Sequence, residues 1–232
     1  LEPADHAEVC SVPEVPVRQP HQVTAMSKLE KKLPEMYAQM HAEGAFKGDS
    51  WNQHLEKFAR WAGNGTHYDD PYQCIFRSEA ELRPILDYGC GPKGGLASDL
   101  HFKRRSGFVI SYDPYVEDYN ADPWKTGFKC FFTCDVLEHM TEEQISALLL
   151  RLRKHGSCKR IFAAVTCRAA NKTLPNGLNA HLTIKPPEWW HGLISGTLSG
   201  VYRVEIADAD LLTGEAVFAL TKEDRGEDQP AS

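Results

Sequence analysis

The 232-residue sequence has no apolar run near the roughly 18 residues that a membrane-spanning helix needs. No basic segment followed by an apolar core opens the chain either, so neither a membrane partner nor a secretion signal is expected. Positive charge is in deficit: 26 Lys and Arg against 32 Asp and Glu give a formal net charge of −6. That leaves no global field to hold a polyanion, and nucleic acid would require a local patch. The seven cysteines (Cys10, Cys74, Cys90, Cys130, Cys134, Cys158, Cys167) are odd in number and nowhere spaced C-x-x-C. This argues against a zinc ribbon and against a disulfide framework, and points to a reducing, cytoplasmic compartment. Internal repeats are absent as well.

What is present is the composition of one ordinary globular domain, with 42% hydrophobic and 25% charged residues. Residues 1–26 carry four prolines and little periodicity, and MSKLEKKL from Met26 reads as a natural start. The segment is therefore expected to be a disordered leader or a processing remnant. Residues 27–80 read as a helical N-terminal cap, with Leu33, Met36, Tyr37 and Met40 on one stripe and Leu55 and Phe58 on another. From residue 81 to 222 short apolar runs alternate with amphipathic stretches: PILDY, GFVISYD, KCFFTCD, RIFAAVTC, YRVEIAD and EAVFALTK. Between the third and fourth, Thr141 with Gln144 forms a capping-box signature and Gly156 a stop. Strand, crossover helix, strand predicts a parallel sheet, and the last two runs predict a hairpin. Residues 223–232 are expected to be a disordered acidic tail.

The stretch ILDYGCGPKGGL, Ile85 to Leu96, contains a literal G-x-G-x-x-G at Gly89, Gly91 and Gly94. A nicotinamide dinucleotide would set its pyrophosphate there. Asp87, two residues before Gly89, would then repel it in a partly desolvated cleft. A cationic ligand reverses the sign, and S-adenosylmethionine carries an ammonium and a sulfonium. Asp113, ending the second apolar run, suits the ribose hydroxyls of either cofactor.

The strings LDYGCGPKGG and CDVLEHM resemble two motifs of the class I S-adenosylmethionine-dependent methyltransferases. The resemblance runs through SYDPYVEDYNADP and NAHLTIKPPEWW, about residues 35–220, and is nearest to methyltransferases encoded by bacteriophages and bacteria. It implies a Rossmann-like α/β fold with a mostly parallel seven-stranded sheet and helices on both faces, in the cytoplasm of a bacterial or phage-infected cell. It places Asp87, Tyr88, Gly89, Cys90, Gly91, Gly94, Asp113, Pro114 and Asp135 against the cofactor. One departure stands out: Lys93 occupies the usual glycine position and Gly94 follows, which implies a longer loop. The segment from Asp113 to Phe131 hardly shows a third strand.

Asp135, Glu138 and His139 fall at a strand end and in the turn after it. They could simply favour a helix start, line the cofactor cleft, or ligate a divalent cation, as in the similar E-x-x-E-H run of small-RNA 2′-O-methyltransferases. His181, in the long loop before Pro187, joins them as a general base or a fourth ligand. Such a set suits manganese, cobalt or zinc better than magnesium. Trp189 and Trp190 are expected to open a helix and pack on the core. The reading is methyl transfer to an O or N acceptor, small or macromolecular, that the sequence does not identify. The alternatives are a cofactor-binding module without turnover and a nicotinamide-dependent oxidoreductase.

Overall fold

The computed structural model describes residues 20–63, 70–210 and 214–223. The expected tail from residue 224, and all of the expected leader before residue 20, lie outside the described residues. The chain divides into two compact units, residues 1–33 and 34–232. Helix α1, Pro20–Ala42, begins before Met26, the expected end of the leader. It contains Pro34 at the division, where the missing N–H removes one bond of the helical ladder. The rest of this description concerns the second unit.

Two faces of one sheet organise the core. Strands β1 (Ile85–Tyr88), β2 (Val109–Tyr112), β3 (Cys130–Cys134), β4 (Arg160–Thr166), β5 (Tyr202–Asp210) and β6 (Glu215–Lys222) lie in the order β2-β1-β3-β4-β6-β5. The first four are parallel, and β6 runs antiparallel between β4 and β5. The predicted hairpin is present, its tip outside the described residues. Because side chains alternate along a strand, Ile85, Cys130, Phe132, Phe162 and Ala164 face one layer. That layer contains α2 (Trp51–Ala62), α3 (Pro71–Arg77), α4 (Glu79–Leu82) and α5 (Leu100–Lys103). Leu86, Phe131, Ile161, Ala163 and Val165 face the opposite layer, made by α6 (Glu142–Lys154) and α7 (Pro187–Leu198). Helices thus cover both faces, as a parallel sheet requires.

The sheet has six strands among the described residues, not the expected seven. The segment after Asp113 forms two 3-10 turns, Glu117–Tyr119 and Pro123–Lys125, and no strand. Its sequence, YVEDYNADPWKTG, is rich in Pro, Asp, Asn and Gly and lacks an alternating apolar run, so nothing favours an extended pairing there. Strand β2 is consequently an edge. The Asp113 N–H that would face a further strand donates to the Tyr119 carbonyl at 3.0 Å, which closes part of that edge.

Helix α6 forms where the capping signature placed it. Thr141 accepts from the Gln144 N–H at 3.3 Å, and the Gln144 side chain accepts from the Thr141 N–H at 2.9 Å. Ile145, Leu148, Leu149 and Leu152 then bury one stripe against β1, β3 and β4. Trp190 is fully buried in the same layer, so the helix-opening role expected for the tryptophans holds. Among the described residues no helix is long and apolar enough to cross a membrane. Thr141→Ala should lower stability by roughly 1 kcal/mol, or about 2–4 °C in melting temperature for a chain of this size. Thermal melts with Thr141→Ser as the near-neutral control would show it.

Candidate active site

In this strand order the chain reverses direction between β2 and β3 on either side of β1, and the crevice at the carboxyl ends there is where open α/β sheets bind ligands. The glycine turn leaves β1 at that point. Gly89, Gly91, Gly94 and Gly95 all have positive φ, a backbone region that side chains disfavour. Close approach reinforces the requirement at each, most severely at two: a Cβ on Gly89 would lie 2.3 Å from Val136 Cγ2, and one on Gly95 would lie 2.0 Å from Asp87 Oδ2.

Asp87 therefore turns back under the loop. Its Oδ2 accepts from the Leu96 N–H at 2.7 Å, and the side chain is buried. Burial pushes its carboxyl up to about 7; the Leu96 bond opposes that rise and the nearby Asp113 charge adds to it. Tyr88, Gly89, Gly91, Asp113, Pro114 and Asp135 line a cleft of about 560 Å³, whereas Asp87, Cys90 and Gly94, also expected against the cofactor, are not among its walls. Asp113 is fixed by the Gly91 N–H at 3.0 Å and the Tyr115 N–H at 2.9 Å. His41 Nε2 stands 3.8 Å from its Oδ2, and burial pulls the His41 pKa down.

The second motif follows β3. Asp135 sits in the left-handed region with φ 52, held by its N–H to the Ala164 carbonyl at 3.0 Å. Its carboxylate accepts from Thr166 Oγ1 at 2.9 Å and from Gln53 Nε2 at 3.2 Å. Glu138 is wholly buried: Oε1 accepts from the Thr166 N–H at 3.1 Å, while Oε2 has no hydrogen-bond partner among the described residues. His139 Nδ1 lies 2.8 Å from the Ala180 carbonyl, and His181 Nδ1 lies 2.6 Å from the Arg168 carbonyl. A carbonyl only accepts, so both rings carry the proton on Nδ1 and keep Nε2 as a donor of electrons.

One ligand atom from each of Glu138, His139 and His181 lies within 4.8 Å of the others. Burial lowers the pKa of His139 to about 4, with the neighbouring His181 adding to the effect, and burial also lowers that of His181. Glu138 is pushed well above the carboxylate range, first by burial and then by Asp135. Two neutral imidazoles anchored through Nδ1 and a carboxylate with one orphaned oxygen fit a divalent cation. Of the four expected ligands the fold gathers three. Asp135 stands beside them with both oxygens engaged elsewhere.

The remaining walls were not legible in the sequence. Tyr37, His41 and Phe46 from the end of α1 and the loop after it cover the cleft, and Gly48 approaches the glycine turn so closely that a Cβ on Gly91 would meet its Cα at 2.8 Å. In the sequence Tyr37 shows only as part of a core stripe, and a Tyr and a His four residues apart, Tyr37 and His41, are the available signal. On the side lacking the seventh strand, Tyr88 and Tyr112 lie with rings 5.1 Å apart, and Arg151 stacks over Trp124 at 4.3 Å. These four side chains form an aromatic slot continuous with the cleft.

No family model matches the chain, and no curated protein matches it by sequence. Among solved structures, the small RNA methyltransferase HEN1 superposes with a TM-score of 0.50 at 12% identity, over 77% of this chain and 26% of HEN1. The methyltransferase domain of bacterial CtHen1-CN gives 0.42 at 14% identity, over 65% of this chain and 95% of that one. The antibiotic-resistance methyltransferase Kmr gives 0.33 at 12% identity, over 68% and 96%. The likeness to HEN1 is one of fold: a mostly parallel α/β sheet shared with a methyltransferase, of whose length the matched region is about a quarter.

The raised pKa of Asp87 has a definite sign. A carboxyl ordinarily near 3.9 when unfolded holds an extra proton in the fold between about 4 and about 7. Its contribution to stability is full below the unfolded value and is lost as pH rises through about 7. Asp87→Asn keeps an acceptor for Leu96 and should flatten the fall in melting temperature between pH 5 and 8. An unchanged pH dependence in the variant would contradict the assignment.

Proposed function

We propose that the chain is an S-adenosylmethionine-dependent methyltransferase acting on a hydroxyl with a divalent cation held by Glu138, His139 and His181. The observation that carries this reading is the convergence of those three side chains beside the cleft where a Rossmann-like sheet binds its ligand. The fold shared with HEN1 supports the methyltransferase class, and the Asp-x-x-Glu-His run with His181 supports metal-assisted transfer to oxygen. Manganese, cobalt or zinc matches two nitrogens and a carboxylate.

The chain's own tasks are few. Gly89 and Gly91 offer bare backbone at the cleft wall, and Asp113 presents a carboxylate, anchored by two N–H groups, to ribose hydroxyls. Tyr37, His41 and Phe46 cover the cleft against water. Asp135 lies at the border between the cofactor cleft and the cluster, where its charge favours a sulfonium. S-adenosylmethionine supplies an already activated methyl group, and a divalent cation lowers the pKa of a bound hydroxyl. Alignment of acceptor, methyl and sulfur contributes up to roughly 7–11 kcal/mol. The acceptor is unidentified; because HEN1 is a small RNA methyltransferase, a short RNA is the first to try.

Calorimetry should show micromolar binding of S-adenosylhomocysteine, weakened at least tenfold by Asp113→Ala, or about 1.4 kcal/mol. Binding of NAD in its place would overturn the reading in favour of an oxidoreductase. Transfer should be lost with EDTA and return with manganese or cobalt. His181→Ala should lower turnover by roughly 10² while leaving S-adenosylhomocysteine affinity within a few-fold. Cofactor binding without transfer to any RNA, catechol or amine offered would favour a non-catalytic module.

A further inference from the structure

Tyr37, placed above only in the cover of the cleft, also touches both segments that carry Glu138, His139 and His181. Its hydroxyl lies 2.8 Å from the His139 carbonyl and 2.9 Å from the Ala180 carbonyl, so one proton is shared between two acceptors. The Ala180 carbonyl also receives the Nδ1 proton of His139, and His181 is the next residue in the chain. The turn bearing Glu138 and His139 and the loop bearing His181 are therefore tied together at one buried point. A second tie, from the Thr183 N–H to the Glu138 carbonyl at 3.0 Å, lies on the far side of His181. The Tyr37 ring stacks on Tyr115 at 5.2 Å and 19°, two residues beyond Asp113, and meets His139 edge-on at 5.8 Å.

We propose that Tyr37 is a positioning residue of the metal centre, setting the separation of His139 and His181 through its bonds to the His139 and Ala180 carbonyls. The proposal rests on the reading of Glu138, His139 and His181 as ligands. Metal ligands must be held to within about 0.2 Å of their preferred distances. The two imidazoles come from segments 42 positions apart in the sequence (139 and 181), so their separation is set by the bonds between turn and loop: Thr183 bonds to the Glu138 and Met140 carbonyls after His181, and Tyr37 and the His139 ring hold Ala180 before it. Partners outside the ligand set that fix orientation typically change metal affinity by 10–100-fold when removed. The stack on Tyr115 further suggests that a ligand seated on Asp113 steadies the same tyrosine, so cofactor and metal should favour each other's binding.

Tyr37→Phe removes the hydroxyl and keeps the stacked ring, so the fold should survive. Mn²⁺ alone is the probe, its free concentration followed by electron paramagnetic resonance on the full chain, with and without saturating S-adenosylhomocysteine. The expected result is Mn²⁺ binding weakened at least tenfold in Tyr37→Phe, with S-adenosylhomocysteine affinity within about threefold of the parent. Met40→Ala loosens the same helix without touching the hydroxyl, and should leave Mn²⁺ affinity within about twofold. Equal Mn²⁺ affinity in Tyr37→Phe and the parent overturns the proposal, as does an equal loss in Met40→Ala, which would mark the effect as packing. A parent protein that binds S-adenosylhomocysteine but no Mn²⁺, Co²⁺ or Zn²⁺ would instead sink the metal reading itself, a failure visible before any variant is made.

Discussion

A carboxylate buried with one oxygen unpaired is the constraint around which the site is arranged. Glu138 is inaccessible to water; its Oε1 accepts from the Thr166 N–H, and its Oε2 has no hydrogen-bond partner among the described residues. Leaving a carboxylate in that state costs several kcal/mol unless it is neutral or faces a cation. The surroundings bring two imidazoles to it: β4 ends at Thr166, the loop returns His181 across the carboxyl edge, and the backbone of Glu138 itself accepts from Thr183. The long loop is thereby pinned at both sides of the imidazole it contributes.

The left-handed backbone at Asp135 follows from the same demand. A residue with a β-carbon held at positive φ carries strain of order 1 kcal/mol or more. Here that strain directs Asp135 toward Thr166 and Gln53 while the next three residues turn tightly enough to send Glu138 inward. Gln53 lies on α2, so the cap helices hold a cleft residue in place as well as covering the sheet. Strain at one residue is offset by three hydrogen bonds to it, which is how such conformations persist at functional sites.

Loss of the seventh strand shapes the other end of the cleft. With β2 at the edge and only 3-10 turns beyond it, the faces of Tyr88 and Tyr112 are left half-buried. Trp124 and Arg151 close over them, the guanidinium spread on the indole and its end 3.5 Å from Asp122. A planar ring entering from the Asp113 side would find aromatic surface there in place of a strand. Four large side chains thus line a segment that offers only 3-10 turns.

The sequence by itself determined the sheet runs, the capping box of α6, the helix opened by Trp189 and Trp190, and the identity of the two loops that meet at the cleft. These are local properties, set by alternation, by a Thr to Gln spacing and by glycines that no other residue can replace without a clash. It also set Asp135, Glu138, His139 and His181 together as candidates, through the likeness of their run to a known motif, and the fold gathers the last three. Tertiary structure alone decided where each carboxylate points. Asp87 and Asp135 are read alike in sequence, as acids at strand ends, yet one folds under the glycine turn to meet the Leu96 N–H and the other is drawn to Thr166 and Gln53. Nor does any periodicity reveal that Tyr37, on a stripe of core residues, ends on the carbonyls of His139 and Ala180. Such pairings join residues more than 100 positions apart, and only the packing of α1 against the carboxyl edge of the sheet brings them within hydrogen-bond distance.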